Sequence, residues 1–196
     1  MHHAGIFDAV FIAMFALCFI IRAPLEYRNK KIKAVESREG AFGKFCLILV
    51  LTGSTTMPLL YLFTRLFDFA DYEVATGPGL VGSALAVVGI FLFWKSHRDL
   101  GRQFSPTLEV KEAHHLISHG IYSKIRHPMY TAVYAIAAAQ LLLIGNFVVG
   151  PAFLIAFGIL YFSRIDREED MMLAHFGNAY ADYKLRTNRL FPSLRR

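Results

Sequence analysis

The sequence predicts an all-α integral membrane protein with five transmembrane helices. Three observations lead to this prediction: an excess of apolar residues, their grouping into five blocks, and basic residues that fall on one side of the predicted membrane. Of the 196 residues, 55% are hydrophobic and 18% are charged, whereas soluble domains average about 45–50% and about 25%. This composition excludes intrinsic disorder, and the two cysteines are too few for a disulfide scaffold.

The five apolar blocks approach the length of membrane spans, because a helix needs about 20 mostly apolar residues to cross the hydrocarbon layer. Only Gly145 and Asn146 separate the last two blocks. This short break predicts an antiparallel helical hairpin with a tight turn, since both residues tolerate positive φ. A hairpin that re-enters the membrane is the alternative. The blocks cover residues 5–21, 45–67, 78–94, 128–144 and 147–162.

The charges predict the orientation of the spans. If residues 22–44 are cytosolic, the N-terminus lies outside and the C-terminus inside. Of the 21 Lys and Arg residues, only Arg65 then lies near the outer face, where the loop carries Asp68, Asp71 and Glu73. This distribution follows the positive-inside rule and indicates contact with anionic membrane lipids. A nucleic-acid partner is excluded, because no basic groove with interleaved aromatic residues is visible.

Two other patterns do not indicate the chemistry that they resemble. Residues 77–82 match G-x-G-x-x-G, but they open a span instead of joining a strand to a helix, so we expect these glycines to serve helix packing. Several histidines lie on one predicted cytosolic segment. They lack the ligand spacing of a zinc site, so no metal is predicted. These histidines are His97, His114, His115, His119 and His127.

The start of the fourth span is a candidate anion site. Pro128 suits the first turn of a helix, which places Arg126 and His127 just before the start and Met129 and Tyr130 just inside it. Unpaired backbone N–H groups and the positive end of the helix dipole favour a carboxylate or phosphate there. The alternative is an arginine that extends to the membrane surface beside a capping histidine.

The fifth span ends beside this site if the last two spans form a hairpin. Arg164 is the first charge after the span and lies four residues before Glu168, so the two side chains share one helical face. An exposed salt bridge would explain this spacing. Charged groups at membrane depth are nevertheless costly, which favours a functional role.

These residues together resemble the isoprenylcysteine carboxyl methyltransferase family, within the membrane methyltransferases that include phospholipid methyltransferases. The matching signature is residues 126–130, an apolar hairpin, and Glu168-Glu169. The resemblance covers about residues 95–192 and looks most like compact prokaryotic members. It implies an N-terminal three-span region over residues 1–94 and a methyltransferase region over residues 95–196. A prokaryotic member would lie in the plasma membrane.

The resemblance also implies S-adenosylmethionine as a methyl donor, held at a cytosolic cofactor-binding face. Arg164 corresponds to the family's substrate-facing arginine, and Arg164 and Glu168 are the expected catalytic residues. Which acid of Glu168, Glu169 and Asp170 contacts the cofactor depends on the alignment register. The cofactor contacts implied are Glu109, His114, His115, Leu116, Ile117, Tyr122, His127, Pro128, Met129, Tyr130 and Glu168.

The expected reaction is O-methylation of the carboxylate of a prenylcysteine-like, lipophilic or lipid-modified substrate. A carboxylate is already a nucleophile, so it needs alignment, desolvation and a counter-charge instead of a base. One alternative is N-methylation of a phospholipid amine, which would need a general base such as Glu168, Glu169 or a histidine. A non-enzymatic alternative is a small membrane transporter or assembly factor.

Overall fold

The computed structural model describes residues 5–29, 34–37, 40–101, 109–111 and 115–192. Helices form almost all of this part of the chain, as the apolar blocks predict. The helices are α1 (Ile6–Asn29), α2 (Ala41–Leu51), α3 (Met57–Phe63), α4 (Thr76–Leu100), α5 (Pro128–Leu143), α6 (Val149–Phe176) and α7 (Asn178–Arg186).

The helices have the length and surface of membrane spans. Within the described residues, four helical segments are long and apolar enough to cross a membrane: Ile6–Pro24, Ala41–Phe63, Thr76–Leu100 and Val149–Phe176. The apolar helix α5 is shorter, with 16 residues. Large apolar side chains such as Ile48, Val87 and Phe162 are exposed, which suits a lipid surface and not water. The prediction of an all-α membrane fold is confirmed.

The second span is one helix interrupted by a π-helical turn. Thr52–Thr56 form this turn between α2 and α3, where the sequence is most polar. Gly53 lies so close to Ala152 on α6 that a Cβ atom would approach the Ala152 carbonyl oxygen to 2.8 Å. The Gln140 side chain donates to the Gly53 oxygen at 3.0 Å and to the Val149 oxygen at 2.9 Å. The buried amide thus pairs with backbone carbonyls inside the membrane region.

Small residues allow α4 to pack closely on its neighbours. A Cβ atom on Gly82 would lie 2.9 Å from the Leu142 Cβ atom, and one on Gly89 would lie 2.8 Å from Ile136 Cγ1. Ala86, between them, is buried. Gly82, the last glycine of the G-x-G-x-x-G pattern, therefore belongs to a helix-packing surface, as expected, because glycine lets helix backbones approach each other. Gly77, the first, has open space beside it.

The turn between α5 and α6 is tight, but not for the predicted reason. Gly145 does not adopt positive φ; a side chain there would instead collide with the Tyr72 carbonyl oxygen. Asn146 is fully buried, and its Oδ1 atom accepts hydrogen bonds from the Val148 and Val149 amides at 3.0 and 2.9 Å. Its Nδ2 atom donates to Asp71 at 2.6 Å. The turn is thus fixed by a close approach and by capping.

One short strand pair adds to the helical fold. Strand β1 (Ala34–Ser37) pairs antiparallel with β2 (Glu109–Lys111), and Ser37 lies opposite Glu109. The pair joins the chain between α1 and α2 to the chain between α4 and α5. These strands were not predicted, because strands of three and four residues lack a readable alternation of apolar and polar positions.

We predict that Gly89→Ala destabilises the protein. The added methyl group would press on Ile136, including its backbone nitrogen at 3.1 Å, and such overpacking costs about 1–3 kcal/mol. Gly158→Ala on α6 is the control, since nothing lies within 4 Å of a Cβ atom there and alanine favours the helix by up to about 1 kcal/mol. Thermal unfolding in detergent measures both variants. Equal melting temperatures would contradict the packing argument.

Candidate active site

An elongated cavity of about 660 Å³ lies between the helices and includes most of the predicted site. Along α6 its wall runs from Phe153 to Met172, a distance of about 28 Å at 1.5 Å per residue. Near Phe153 the wall is mainly apolar; near Glu168 it carries charged and aromatic polar side chains. The apolar end includes Phe11, Met14, Phe15, Leu47, Val50, Val133, Ile136, Phe153, Phe157 and Leu160.

The start of α5 lies at the polar end of this cavity. Pro128 begins the helix and His127 is its N-cap residue, as predicted. The sequence predicts unpaired backbone N–H groups at this helix start. For His127 this prediction is wrong, because its backbone N–H donates to the Arg189 oxygen at 2.9 Å. The Arg126 amide donates to the Asn188 oxygen at 2.9 Å. The segment after α7 therefore pairs with the chain that enters α5.

Glu169 holds this end of the molecule together. Its side chain is 2% exposed, and three cations contact it: Arg126 at 3.0 Å, Lys184 at 3.1 Å and Arg189 at 3.0 Å. The His127 Nε2 atom lies 3.3 Å from the same carboxylate. The hydrogen bond to Glu169 raises the pKa of Arg189. The four contacts, made to the start of α5, to α7 and to the segment after it, compensate the desolvation of the buried carboxylate.

Glu168 faces the cavity, whereas Glu169 is buried among cations, because adjacent residues of a helix point in different directions. Its side chain is 28% exposed and lines the cavity. The Tyr130 hydroxyl donates to Glu168 Oε2 at 2.6 Å, and His127 Nδ1 lies 3.7 Å from Oε1. Arg164, one turn earlier on α6, is 9% exposed and lines the same cavity. Asp170 is exposed at the surface.

The segment before α5 is fixed by Asp99 at the end of α4. The Asp99 carboxylate accepts the Ile121 amide at 2.8 Å and contacts Lys95 at 3.0 Å. Gly120 has φ +59°, and a side chain there would collide with this carboxylate. Next to it, the Tyr122 carbonyl accepts the hydroxyl of Tyr183 at 2.6 Å. Tyr122 is thereby held in the cavity wall.

The structure brings most of the predicted site residues together. His114 lies outside the described residues, Glu109 lies in β2, and Pro128 is not among the residues of the cavity wall. The predicted residues that line the cavity are His115, Leu116, Ile117, Tyr122, His127, Met129, Tyr130, Arg164 and Glu168.

Sequence reasoning missed several residues of the cavity wall. His97 on α4 is 1% exposed, and its Nδ1 atom lies 2.9 Å from the Phe93 oxygen. Tyr180 and Tyr183 reach the wall from α7. Their spacing of three residues places both on one helical face, which is a signal the sequence does contain. In the part of the chain that the structure describes, no group of three His, Cys, Asp or Glu side chains is placed to hold a metal ion.

These features define a class: a multi-pass helical membrane protein with a cavity that joins an apolar end to a charged end. Residues 82–174 match the family model of the isoprenylcysteine carboxyl methyltransferase (ICMT) family. This match covers just under half of the chain, and it confirms the resemblance seen in the sequence.

Individual proteins agree with this assignment. Protein-S-isoprenylcysteine O-methyltransferase of Tribolium castaneum is 29% identical over 115 residues, which cover 57% of this chain and 41% of the relative. The Schizosaccharomyces pombe protein of the same name is 33% identical over 99 residues, covering 50% and 42%. The chain thus spans less than half the length of these two relatives.

A solved structure shares the fold. The structure of the eukaryotic intramembrane Ras methyltransferase ICMT superposes with a TM-score of 0.52 at 21% identity. The superposition covers 93% of this chain and 62% of that one. At this identity the likeness shows the fold alone.

We predict that Arg126→Ala destabilises the protein by about 3–5 kcal/mol, the usual effect of breaking a buried ion pair. Besides Glu169, the arginine also donates to the carbonyl oxygens of Lys184 and Thr187, so its loss removes one of the three cations around Glu169 and both of these hydrogen bonds. Arg186→Ala on the exposed side of α7 is the control and should change stability by less than about 0.5 kcal/mol. Thermal unfolding in detergent measures both variants. Equal melting temperatures would contradict the prediction.

Proposed function

We propose that the protein is an S-adenosylmethionine-dependent methyltransferase that methylates the carboxylate of a prenylcysteine-like, lipophilic or lipid-modified substrate. One observation carries this proposal: Arg164 and Glu168 line the same cavity as a long apolar wall. The charged head of such a substrate fits the polar end of this cavity, and its lipid tail fits the apolar end. The relatives named above are isoprenylcysteine O-methyltransferases, which supports the same reaction.

The polar end of the cavity suits the cofactor. The whole cavity is within the range of about 300–1,000 Å³ typical of small-molecule sites. When bound, S-adenosylmethionine supplies an electrophilic methyl group on a sulfonium sulfur. Glu168 can meet its positive charge, and aromatic faces such as Tyr122 and Tyr130 can stabilise a cation. The segment His115–Ile117 and the residues His127 and Met129 complete the proposed contacts; Glu109, His114 and Pro128 stay predictions from the resemblance.

Arg164 is the proposed holder of the substrate carboxylate. A guanidinium binds a carboxylate with two parallel hydrogen bonds, which fixes its direction as well as its position. Removal from water strengthens this attraction and also exposes the nucleophilic oxygen. Methylation converts the anion into a neutral ester, so the product loses its attraction to Arg164 and can leave.

Glu168 is positioned for its role before any ligand binds. The hydroxyl of Tyr130 holds one of its oxygens, and Tyr130 itself packs edge-on against Tyr161, with ring centroids 5.4 Å apart. A carboxylate held in this way needs little reorganisation when a cation arrives, which is the advantage of a preorganised site. The acceptor carboxylate requires no general base, so Glu168 acts through charge and position.

The proposed orientation places this end of the cavity in the cytosol. The N-terminus then lies outside and the C-terminus inside, because Arg65 is the only Lys or Arg near the outer face. The lipid tail would enter sideways from the membrane toward the apolar end. For a prokaryotic protein the membrane is the plasma membrane.

We predict that Arg164→Ala lowers kcat/KM for the acceptor about 100-fold, the effect of losing a charged hydrogen-bonded pair of about 3 kcal/mol. Binding of S-adenosylhomocysteine, measured by calorimetry on the detergent-solubilised protein, should change little. Glu168→Ala should instead weaken that binding. Arg167→Ala, an exposed arginine on the same helix, is the control and should behave like the wild type. Normal turnover by both Arg164→Ala and Glu168→Ala would refute the site.

We predict that farnesylcysteine is methylated and phosphatidylethanolamine is not, in assays that follow a labelled methyl group into a base-labile ester. The rate should stay flat above about pH 5, because an α-carboxylate with a pKa near 3.5 is then fully charged. Amine methylation would fall steeply in acid, as acceptor and base take up protons together. A base-stable product whose rate of formation falls steeply in acid would refute methylation of a carboxylate.

A further inference from the structure

Two tyrosines on α7 share a position in the cavity wall but differ in the hydrogen bonding of their hydroxyl groups. Tyr180 and Tyr183 lie one turn apart, with ring centroids 6.0 Å apart, and both line the cavity. The hydroxyl of Tyr183 donates to the Tyr122 carbonyl at 2.6 Å. The hydroxyl of Tyr180 is buried and has no hydrogen-bond partner in the part of the chain that the structure describes. Tyr180 is 2% exposed.

An unpartnered buried hydroxyl is unfavourable, because it has lost its hydrogen bonds to water and gained none in return. Such groups are rare in folded proteins, and each one needs an explanation. Packing does not supply it here. A phenylalanine would fill the same space beside Tyr183 without burying a polar atom.

The surroundings make Tyr180 a hydrogen-bond donor at neutral pH. Burial and the negative charges of Glu169 and Glu168 raise its pKa, so the hydroxyl keeps its proton. The ring has little freedom to turn toward water. α7 is held by the ion pair of Lys184 with Glu169 and by hydrogen bonds from Arg126 to the carbonyl groups of Lys184 and of Thr187, the residue just after α7.

We propose that the Tyr180 hydroxyl donates a hydrogen bond to the S-adenosylmethionine molecule bound in the polar end of the cavity. The proposal rests on the proposed function and adds a contact from α7 to the cofactor contacts that the resemblance implies, none of which lies beyond Glu168 in the chain. The helix places Tyr180 in the wall of the cavity that Glu168, the proposed partner of the cofactor's charge, also lines. Binding then supplies the acceptor that the folded chain lacks.

The test compares Tyr180→Phe with Tyr183→Phe in the full-length, detergent-solubilised protein. S-adenosylhomocysteine is the probe, and calorimetry measures its affinity. Tyr180→Phe should bind it about tenfold more weakly, whereas its ligand-free melting temperature should equal or exceed that of the wild type. Tyr183→Phe removes a hydrogen bond that is already made, so its ligand-free melting temperature should fall. In kinetic assays, Tyr180→Phe should raise KM for S-adenosylmethionine and leave KM for the acceptor unchanged.

Three results would overturn the inference. The first is a Tyr180→Phe affinity within twofold of the wild type. The second is a ligand-free melting temperature that falls as much as that of Tyr183→Phe, which would show a purely structural role. The third is a raised KM for the acceptor alone. A wild-type protein that binds no S-adenosylhomocysteine would instead refute the proposed function itself, and the inference with it.

Discussion

The buried carboxylate of Glu169 is the constraint on which the site depends. A charge with 2% exposure is stable only if cations surround it, and the chain supplies them from three places: Arg126 before α5, Lys184 on α7, and Arg189 beyond it. Meeting this requirement draws the start of α5, the end of α6 and α7 to one point. The preceding residue on the helix, Glu168, then necessarily faces another direction, and that direction is the cavity. Glu169 thus fixes the local fold, and Glu168 beside it lines the site.

The side chains along α4 have two different roles. At Gly82 and Gly89 the helix approaches α5 closely, because small residues let helix backbones meet. Nearer the end of α4, the larger side chains of Phe93 and His97 line the cavity, together with residues of α1, α2, α5, α6 and α7. The small residues thus close the contact between α4 and α5, and the larger ones border the cavity.

Hydropathy and helix-start chemistry predicted much of this structure, whereas tertiary contacts could not be read from the sequence. The apolar blocks gave the helices, and Pro128 marked the start of α5, because both signals are local. The choice between Glu168 and Glu169 depends on which way a helix turns relative to its neighbours, which no local pattern determines. Tyr180 was missed for the same reason. Its spacing from Tyr183 is visible, but only the fold-back of α7 at Gly177, where φ is +54°, brings it to the cavity.

Under the proposed function, the joined polar and apolar ends also explain why the reaction belongs in a membrane. A lipid tail in the apolar end withdraws its carboxylate from water toward Arg164, so the tail's burial contributes to desolvating the head. The attraction between the two charges grows in this setting, while the methyl ester formed has no charge to retain it. The same low polarity that favours binding of the anion thus favours release of the neutral product. The tail alone then holds the product, and it is free to return to the lipid from which it came.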